Sequence, residues 1–303
     1  MTEDAKRCGY VALLGAPNAG KSTLMNALVG TKISIVTPKV QTTRARIIGI
    51  ALKGSAQIVY VDTPGIFTAK RRLERAMVGA AWQGARDAEI IVLLVDAASA
   101  AEKREADTAM IIAGLKAANR TAILALNKID LIAPQTLLAL ADRLNREGVF
   151  TDIFMISART RDGVSDLEAM IISLLPEGPW LYPEDQVTDI PLRQLAAEAT
   201  REQLFLQLRQ ELPYALTVET ESWEEREDGS VRIEQTIYVE RESQKGIVLG
   251  QGGQRIKAVG AASRATLERF FDRRVHLFLV VKVRTGWHDD PARYRAMGLD
   301  FDV

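Results

Sequence analysis

The stretch "GAPNAGKS", residues 15–22, decides how the first half of this chain is read. It follows the apolar run "YVALL" and opens into "TLMNALV", so a glycine loop joins a buried strand to a helix. It fits Gly-x-x-x-x-Gly-Lys-Ser, a spacing with a physical reason. Gly15 and Gly20 let the backbone curl so that N–H groups of the loop (those of Ala16, Asn18 and Ala19 between them, with Pro17 in the turn but without a donor) face a phosphate. The helix start adds a favourable dipole, Lys21 reaches β- and γ-phosphates, and the Ser22 hydroxyl, followed by Thr23, suits a Mg²⁺ ion.

Outward from that loop, short apolar runs alternate with helical patterns. Strands are expected over 10–14, 47–52, 57–61, 90–96, 121–127 and 152–157, and helices over 21–29, 102–118, 134–147 and 164–175. Near-continuous apolar strands between helices predict an α/β domain with a mostly parallel sheet covered on both faces. Such sheets bind ligands at the carboxyl ends of their strands. At one such end lies "LNKID", residues 126–130. The Asp130 carboxylate can accept from both the N1–H and the 2-amino group of guanine, a donor pair adenine lacks. Asn127 would read the base edge and brace the phosphate loop, and the Lys128 stem would cover the ring.

These elements resemble the Ras-like GTPases, and the resemblance assigns further residues. "DTPG" (Asp62, Thr63, Pro64, Gly65) matches the element whose aspartate holds Mg²⁺ through water and whose glycine amide senses the γ-phosphate. "QTTRAR", residues 41–46, resembles the first switch, with Thr43 as the metal-contacting hydroxyl and Thr42 its rival. "SAR" (Ser157, Ala158, Arg159) matches the last base-binding element, where the amide of Ala158 would meet the guanine oxygen. Arg159 stands where the family commonly has lysine. The resemblance implies GTP and GDP as ligands, Ser22, Thr43 and Asp62 around Mg²⁺, and Lys21, Thr43, Gly65 and Asn18 as the candidate catalytic set. Ile66 follows Gly65 where many signalling GTPases carry a water-orienting glutamine. In related translation-linked GTPases with an apolar residue there, the asparagine matching Asn18 resembles the ligand of a catalytic K⁺; the alternative is that Asn18 only shapes the loop. A P-loop kinase would share "GAPNAGKS" but has no use for "DTPG" and "LNKID" in this order.

The bulk composition agrees with a soluble protein of one large or two ordinary domains: 303 residues, 47% apolar and 26% charged. A lone cysteine, Cys8, excludes an internal disulfide framework and suits a reducing compartment. The opening "MTEDAKRCGY" reads as no secretory signal, and the apolar run "IIVLLV" is far short of a membrane span, so a cytoplasmic location is expected. Net charge is zero, but residues 243–285 carry nine Lys/Arg against two acids, a local surplus of seven that suggests an anionic partner.

"LLPEGPWLYPEDQ", residues 174–186, reads as a domain boundary, giving a nucleotide domain over 1–175, a linker over 176–190 and a second domain over 191–303. A helix is expected over 191–212, then two antiparallel strands around a turn at 227–229, a helix before "GQGG", another through about residue 271, and a strand in "VHLFLVVKV". This order resembles a type II KH domain, an α+β fold whose low-bulk loop lets a sugar–phosphate backbone lie against N–H groups at a helix start. Gly250, Gln251, Gly252 and Gly253 would form that loop, Lys245, Arg255 and Lys257 would hold phosphates, and Ile247, Val248 and Ile256 would floor the bases. Family members often have a basic residue inside the loop; here Gln251 and Gly252 are neutral. His276 and His288, far apart and without cysteine neighbours, suggest no zinc site, and Trp287 is expected to pack the tail rather than stack a base.

A GTPase module followed by a type II KH domain is the arrangement of the Era GTPases, which "QTTR", "YVDTPGI" and "VHLFLVVKVRTGW" also fit. That resemblance implies binding to the 3′ end of small-subunit ribosomal RNA and action on the pre-30S particle; the protein is expected to be a monomer, and tethering a bistable element to a binding module suggests RNA binding coupled to the GTP or GDP state through the linker and the second-switch helix, residues 71–85. A second reading gives the basic domain a protein partner or an anionic membrane surface, with peripheral association at the inner membrane. A GTPase of tRNA modification would explain the first half and leave the KH half without a role.

Overall fold

The structure, a computed structural model, describes residues 5–102 and 105–303. The chain divides into two compact units. The first runs to Ser34, resumes from Thr43 to Asp189, and takes in Tyr294–Val303; the second comprises Ile35–Thr42 and Ile190–Arg293.

The first unit is built on strands β1 (Arg7–Gly15), β2 (Ile47–Lys53), β3 (Ala56–Asp62), β4 (Ile90–Asp96), β5 (Ala122–Asn127) and β6 (Phe150–Ile156). They form one sheet in the order β2-β3-β1-β4-β5-β6, parallel except for β2 against β3. Val11–Leu14 in β1 and the whole of β3 are buried, as sequences apolar on both faces require. Helices α1 (Lys21–Val29), α2 (Arg72–Asp87), α3 (Ala97–Ala101), α4 (Ala106–Ala117), α5 (Pro134–Asn145) and α6 (Val164–Leu174) connect the strands. Leu93, Ile111, Leu124 and Leu140 centre one core cluster.

The helix expected over 102–118 is α4, Ala106–Ala117, with the separate short helix α3 before it; residues 103 and 104 of the expected range lie outside the described residues. Asp96 starts the extra helix early. Its carboxylate accepts from the amides of Ala98 (3.1 Å) and Ser99 (3.2 Å), a cap that apolar periodicity does not reveal. The proline-rich stretch after α6 has a fixed course in this unit. The Gln57 side chain accepts from the amides of Leu181 (2.8 Å) and Tyr182 (3.0 Å), Trp180 donates to the Ser55 carbonyl (3.0 Å), and Ile50 donates to the Val187 carbonyl (2.9 Å). At the far end of the chain, Tyr294 and Leu299 are buried against Ala76 and Met77 of α2.

In the second unit, α7 (Leu192–Gln207), α8 (Glu242–Leu249) and α9 (Gln254–Phe271) cover a sheet of β7 (Leu216–Glu225), β8 (Val231–Val239) and β9 (Val275–Val283). The pairing is antiparallel between β7 and β8 and parallel between β8 and β9. The expected helix over 191–212 stops at Gln207. Continuing it would place Pro213 inside a helix and hold Leu212, the residue before it, in a disfavoured conformation. The chain instead turns through Gln210 at φ 56°, which brings Leu208, Leu212 and Leu216 into one core with Ile237 and Val259. Trp287 is 2% exposed and its indole N–H faces the Ala215 carbonyl at 3.3 Å, so it packs, as expected. A short helix, α10 (Pro291–Ala296), follows. Among the described residues no helix is long and apolar enough to cross a membrane.

Candidate nucleotide site and nucleic-acid interface

The predicted nucleotide residues gather at the carboxyl ends of β1, β3, β5 and β6 in the first unit. Two glycines are fixed by space. A side chain on Gly20 would meet Asn127 Nδ2 at 2.2 Å, and one on Gly65 would meet the Pro17 backbone at 2.8 Å. The glycine of "DTPG" is therefore pressed against the phosphate loop. Ile66 is fully buried in the main core cluster and its amide donates to the Gly15 carbonyl (3.2 Å), so its side chain has no part in orienting a water. Asn18 is exposed in the loop with left-handed backbone, φ 63°.

Lys21 is 6% exposed, and its ammonium donates to the carbonyls of Gly15 and Ala16, each at 3.0 Å. Burial lowers its pKa from 10.5 to about 8, against an opposing pull from the Asp62 carboxylate. Asp62, fully buried, has its acidity weakened by that burial, partly offset by the Ser22 hydroxyl and Lys21. Its Oδ2 accepts from Ser22 (2.6 Å), Ser34 (2.7 Å) and, more weakly, Thr43 (3.4 Å); Ser22 and Thr43 hydroxyls lie 2.8 Å apart. Its Oδ1 is buried with no hydrogen-bond partner, which is costly for a carboxylate oxygen. Three oxygen donors around an under-satisfied carboxylate fit a hard divalent cation such as Mg²⁺. The Thr42 hydroxyl points elsewhere, bonded to Thr37 Oγ1 (2.7 Å) and the Lys39 carbonyl (2.8 Å).

The lysine has a measurable consequence. Below about pH 8 the amine is already charged when phosphates arrive; above it, binding must take up one proton. GDP affinity should be flat from about pH 6.5 to 7.5, then fall with a slope approaching tenfold per unit above about 8. Titration by fluorescent-nucleotide binding checks this, and Lys21→Arg should move the break out of range. A flat wild-type profile to pH 9 would remove the buried lysine as its cause.

At the base end, Asn127 Nδ2 donates to the Ala19 carbonyl (2.7 Å), the expected brace to the phosphate loop. Asn127 Oδ1 accepts from the Ala158 amide (2.9 Å), so that amide, expected to face a guanine oxygen, is engaged with the asparagine here. Asp130 accepts from the Ser157 hydroxyl (2.7 Å) and the Arg159 guanidinium (2.7 Å), which keep its carboxyl below the ordinary range, with Ser157 the larger influence. Lys128 donates to Asp96 Oδ2 at 2.6 Å. Sequence reasoning missed Asp96 and Ser34. Ser34 owes its place to Asn26, whose Oδ1 accepts from the amides of Ile33 and Ser34, both at 2.9 Å. No local motif marks either residue.

In the second unit the "GQGG" turn joins α8 to α9. Gly250 (φ 71°, ψ 173°), Gly252 (φ 56°) and Gly253 (φ 75°) all have left-handed φ, so the glycines are needed for backbone shape as well as low bulk. Gln254 then opens α9, whose first amides have no intrahelical partner. Ile247 is half exposed beside the turn and Ile256 partly buried, while Val248 is fully buried in the core and cannot floor a base. Arg255 bonds the Ile247 carbonyl, Lys245 lies 3.8 Å from Glu242, and Lys257 is exposed. The basic surplus is smaller in space than in sequence: Arg273 pairs with Glu225 from β7, and Arg284 with Asp290 at 2.8 Å.

A glycine loop backed by a buried aspartate and joined through Asn127 to the "LNKID" loop, followed in the same chain by a glycine-turn KH fold, has the arrangement of a nucleotide-binding protein with a nucleic-acid module. A family model described as "50S ribosome-binding GTPase" matches residues 10–128, and a KH domain model matches residues 211–288. The chain is 58% identical to GTPase Era of Afipia carboxidovorans over 97% of this chain and 95% of the relative. It is also 58% identical to GTPase Era of Caulobacter vibrioides, over the whole of this chain and 99% of the relative. Two solved structures are each 38% identical. One is a tyrosine-to-alanine variant of Aquifex aeolicus Era bound to GDP·AlF4⁻ (TM-score 0.90, 96% of this chain, 99% of that one). The other is Era in complex with MgGDPNP and nucleotides 1506–1542 of 16S ribosomal RNA (TM-score 0.91, 97% and 99%). The chain belongs to the Era GTPase family.

Proposed function

We infer that this chain binds and hydrolyses GTP and uses that cycle to regulate its hold on the 3′ region of small-subunit ribosomal RNA during assembly of the pre-30S particle. The observation that carries the reading is the full-length likeness to an Era structure that holds a magnesium–GTP analogue and 16S RNA together. One family description names the large subunit, but it rests on residues 10–128 alone, without the KH unit. In this reading residues 1–175 are the GTP-binding domain, 176–190 a linker and 191–303 the RNA-binding domain. The protein works in the cytoplasm as a monomer.

The residues divide the work by their chemistry. The backbone N–H groups of Gly15, Ala16, Asn18, Ala19 and Gly20 and the Lys21 ammonium hold the phosphates, and Ser22, Thr43 and, through water, Asp62 would hold Mg²⁺, which when bound neutralises charge on the β- and γ-phosphates. Gly65, against Pro17, offers its amide to the γ-phosphate. Asn127 and Asp130 read guanine, with Ser157 fixing the carboxylate. In the second unit the amides at the start of α9 take a phosphate of the RNA, and Lys245, Arg255 and Lys257 supply salt-sensitive attraction. A labelled RNA covering 16S nucleotides 1506–1542 should bind on the order of tenfold tighter to the GTP-analogue form than to the GDP form. A shuffled RNA of the same composition should bind weakly to both. Equal binding of the native and shuffled RNAs would overturn the assignment.

Asn18 is the chain's candidate for a K⁺ ligand. With Ile66 sealed in the core, charge developing at the bridging oxygen needs another source, and a cation beside the phosphate loop supplies it. Hydrolysis should be several-fold faster in K⁺ than in Na⁺ at matched ionic strength, and Asn18→Ala should erase the difference. Equal rates in the two salts would leave that charge to a partner acting in trans.

A further inference from the structure

The two carboxylate oxygens of the buried Asp62 are treated unequally. Oδ2 receives the hydroxyls of Ser22 at 2.6 Å and Ser34 at 2.7 Å and, at 3.4 Å, that of Thr43, while Oδ1 is buried with no hydrogen-bond partner. Ser22 and Thr43 belong to the Mg²⁺ set. Ser34 does not, yet it is fully buried and makes one of the two short bonds.

A stretch with no helix or strand of its own brings Ser34 there. Helix α1 ends at Gly30, whose left-handed backbone (φ 84°, ψ −1°) turns the chain, and the Gly30 amide donates to the Asn26 carbonyl at 3.1 Å. The Asn26 side chain then grips the returning backbone. Its Oδ1 accepts from the amides of Ile33 and Ser34, both at 2.9 Å, and its Nδ2 donates to the Ser34 carbonyl at 2.8 Å. One side chain thus satisfies backbone groups that would otherwise go unpaired. Ile33 anchors the stretch from β2: it is 4% exposed, and a side chain on Gly49 would meet its Cδ1 at 2.7 Å. Asn26 comes four residues after Ser22, one turn along the same face of α1. That face therefore carries both a metal hydroxyl and the seat of Ser34. All of these contacts lie within the first unit.

A carboxylate can exchange its two oxygens by a half-turn about one bond. Short bonds from α1 and from the stretch after it oppose that turn and keep Oδ2 engaged. A Ser22 hydroxyl that offers a lone pair to Mg²⁺ keeps its proton for Oδ2, so the arrangement is compatible with the ion. We propose that Ser34 is a positioning residue for the metal site: seated by Asn26, it pins Oδ2 of Asp62 and leaves Oδ1 to accept from the water through which Asp62 holds Mg²⁺, a role that rests on reading Ser22 and Asp62 as the Mg²⁺ set.

Release of fluorescent GDP from the full chain, followed across free Mg²⁺ concentrations set with a chelator, tests this. Wild-type release should slow as Mg²⁺ rises, with a defined midpoint. In Ser34→Ala the midpoint should move to about tenfold higher Mg²⁺, while release in excess chelator matches wild type. A residue that only supported the fold would speed release in both conditions. Asn26→Ala, which keeps the hydroxyl and removes its seat, should move the midpoint in the same direction. Asp62→Asn should move it at least as far as Ser34→Ala, and combining those two should move it no further. An unmoved midpoint in either alanine variant, or faster release in chelator equal to that in Mg²⁺, would overturn the role of Ser34. A further shift in the Asp62→Asn, Ser34→Ala double variant would also overturn it, since Ser34 would then act other than through Asp62. Wild-type release indifferent to Mg²⁺ would remove the metal reading and the role of Ser34 together.

Discussion

An Asp130→Asn variant should lose GTP affinity by about 10²–10⁴-fold and gain affinity for xanthosine triphosphate. The loss follows from charge. Asp130 is held ionised by the Ser157 hydroxyl and, secondarily, by Arg159, so in the proposed role it would offer two acceptor oxygens to the N1–H and 2-amino group of guanine. Hydrogen bonds to a charged group contribute roughly 1.5–3 kcal/mol each, and the variant loses one while placing a donor against another donor, about 3–5 kcal/mol in all. Xanthine has a carbonyl where guanine has the amino group, so the new amide N–H₂ finds an acceptor. The fold should not suffer. Arg159 is 75% exposed at its side chain, and an exposed pair of this kind contributes less than about 1 kcal/mol. Competition binding with GTP, XTP and ATP, alongside thermal melting, checks the result. Unchanged GTP affinity in a stably folded variant would take Asp130 out of the base site.

Such a swap can be written from the sequence because the nucleotide loops are local. "GAPNAGKS", "DTPG" and "LNKID" each need particular backbone shapes at strand ends, and the glycines state those shapes directly: Gly20 under Asn127, Gly65 against Pro17. The sheet was legible for the same reason, since strands buried on both faces read as unbroken apolar runs. What stayed hidden depends on contacts between distant segments. Nothing near Ser34 announces that Asn26 folds it onto Asp62. A helix pattern running to Leu212 does not reveal that α7 ends at Gln207 and draws Lys39 to its carbonyls. The proline-rich stretch has the composition of a free linker, yet one buried glutamine, Gln57, fixes its path along the first unit. The basic surplus of residues 243–285 overstated the attraction available, because Glu225 and Asp290 neutralise Arg273 and Arg284 from outside that window.

The second large effect is expected at the glycine turn, where Gly253→Asp should weaken RNA binding by about 100-fold or more and leave GTP hydrolysis intact. The three positive-φ glycines differ in what they tolerate. A side chain on Gly250 would meet Arg255 Cβ at 2.8 Å, and its φ of 71° with ψ of 173° is a conformation essentially reserved for glycine, so Gly250→Ala damages the turn itself. Gly253 has open space, with Ile256 Cγ2 nearest at 3.9 Å, and its φ of 75° and ψ of 15° suit aspartate better than most residues. Gly253 is also the residue that caps the start of α9, so the introduced carboxylate lies beside the amides a phosphate would use and is stabilised by the same helix dipole. It therefore competes with RNA at a backbone cost of about 1–2 kcal/mol, with no steric clash. Removing one or two charge-assisted hydrogen bonds and adding a like charge amounts to roughly 3 kcal/mol. The salt dependence separates this from general electrostatic weakening: each RNA phosphate no longer held should flatten the slope of log affinity against log salt by about 0.7. Binding of the 16S 1506–1542 RNA measured from low to moderate salt, with melting and GTP turnover in parallel, tests all three expectations. A folded Gly253→Asp protein that binds this RNA within twofold of wild type would place the RNA elsewhere on the second unit, with the half-exposed Phe278 and Val280 of β9 the next surface to probe.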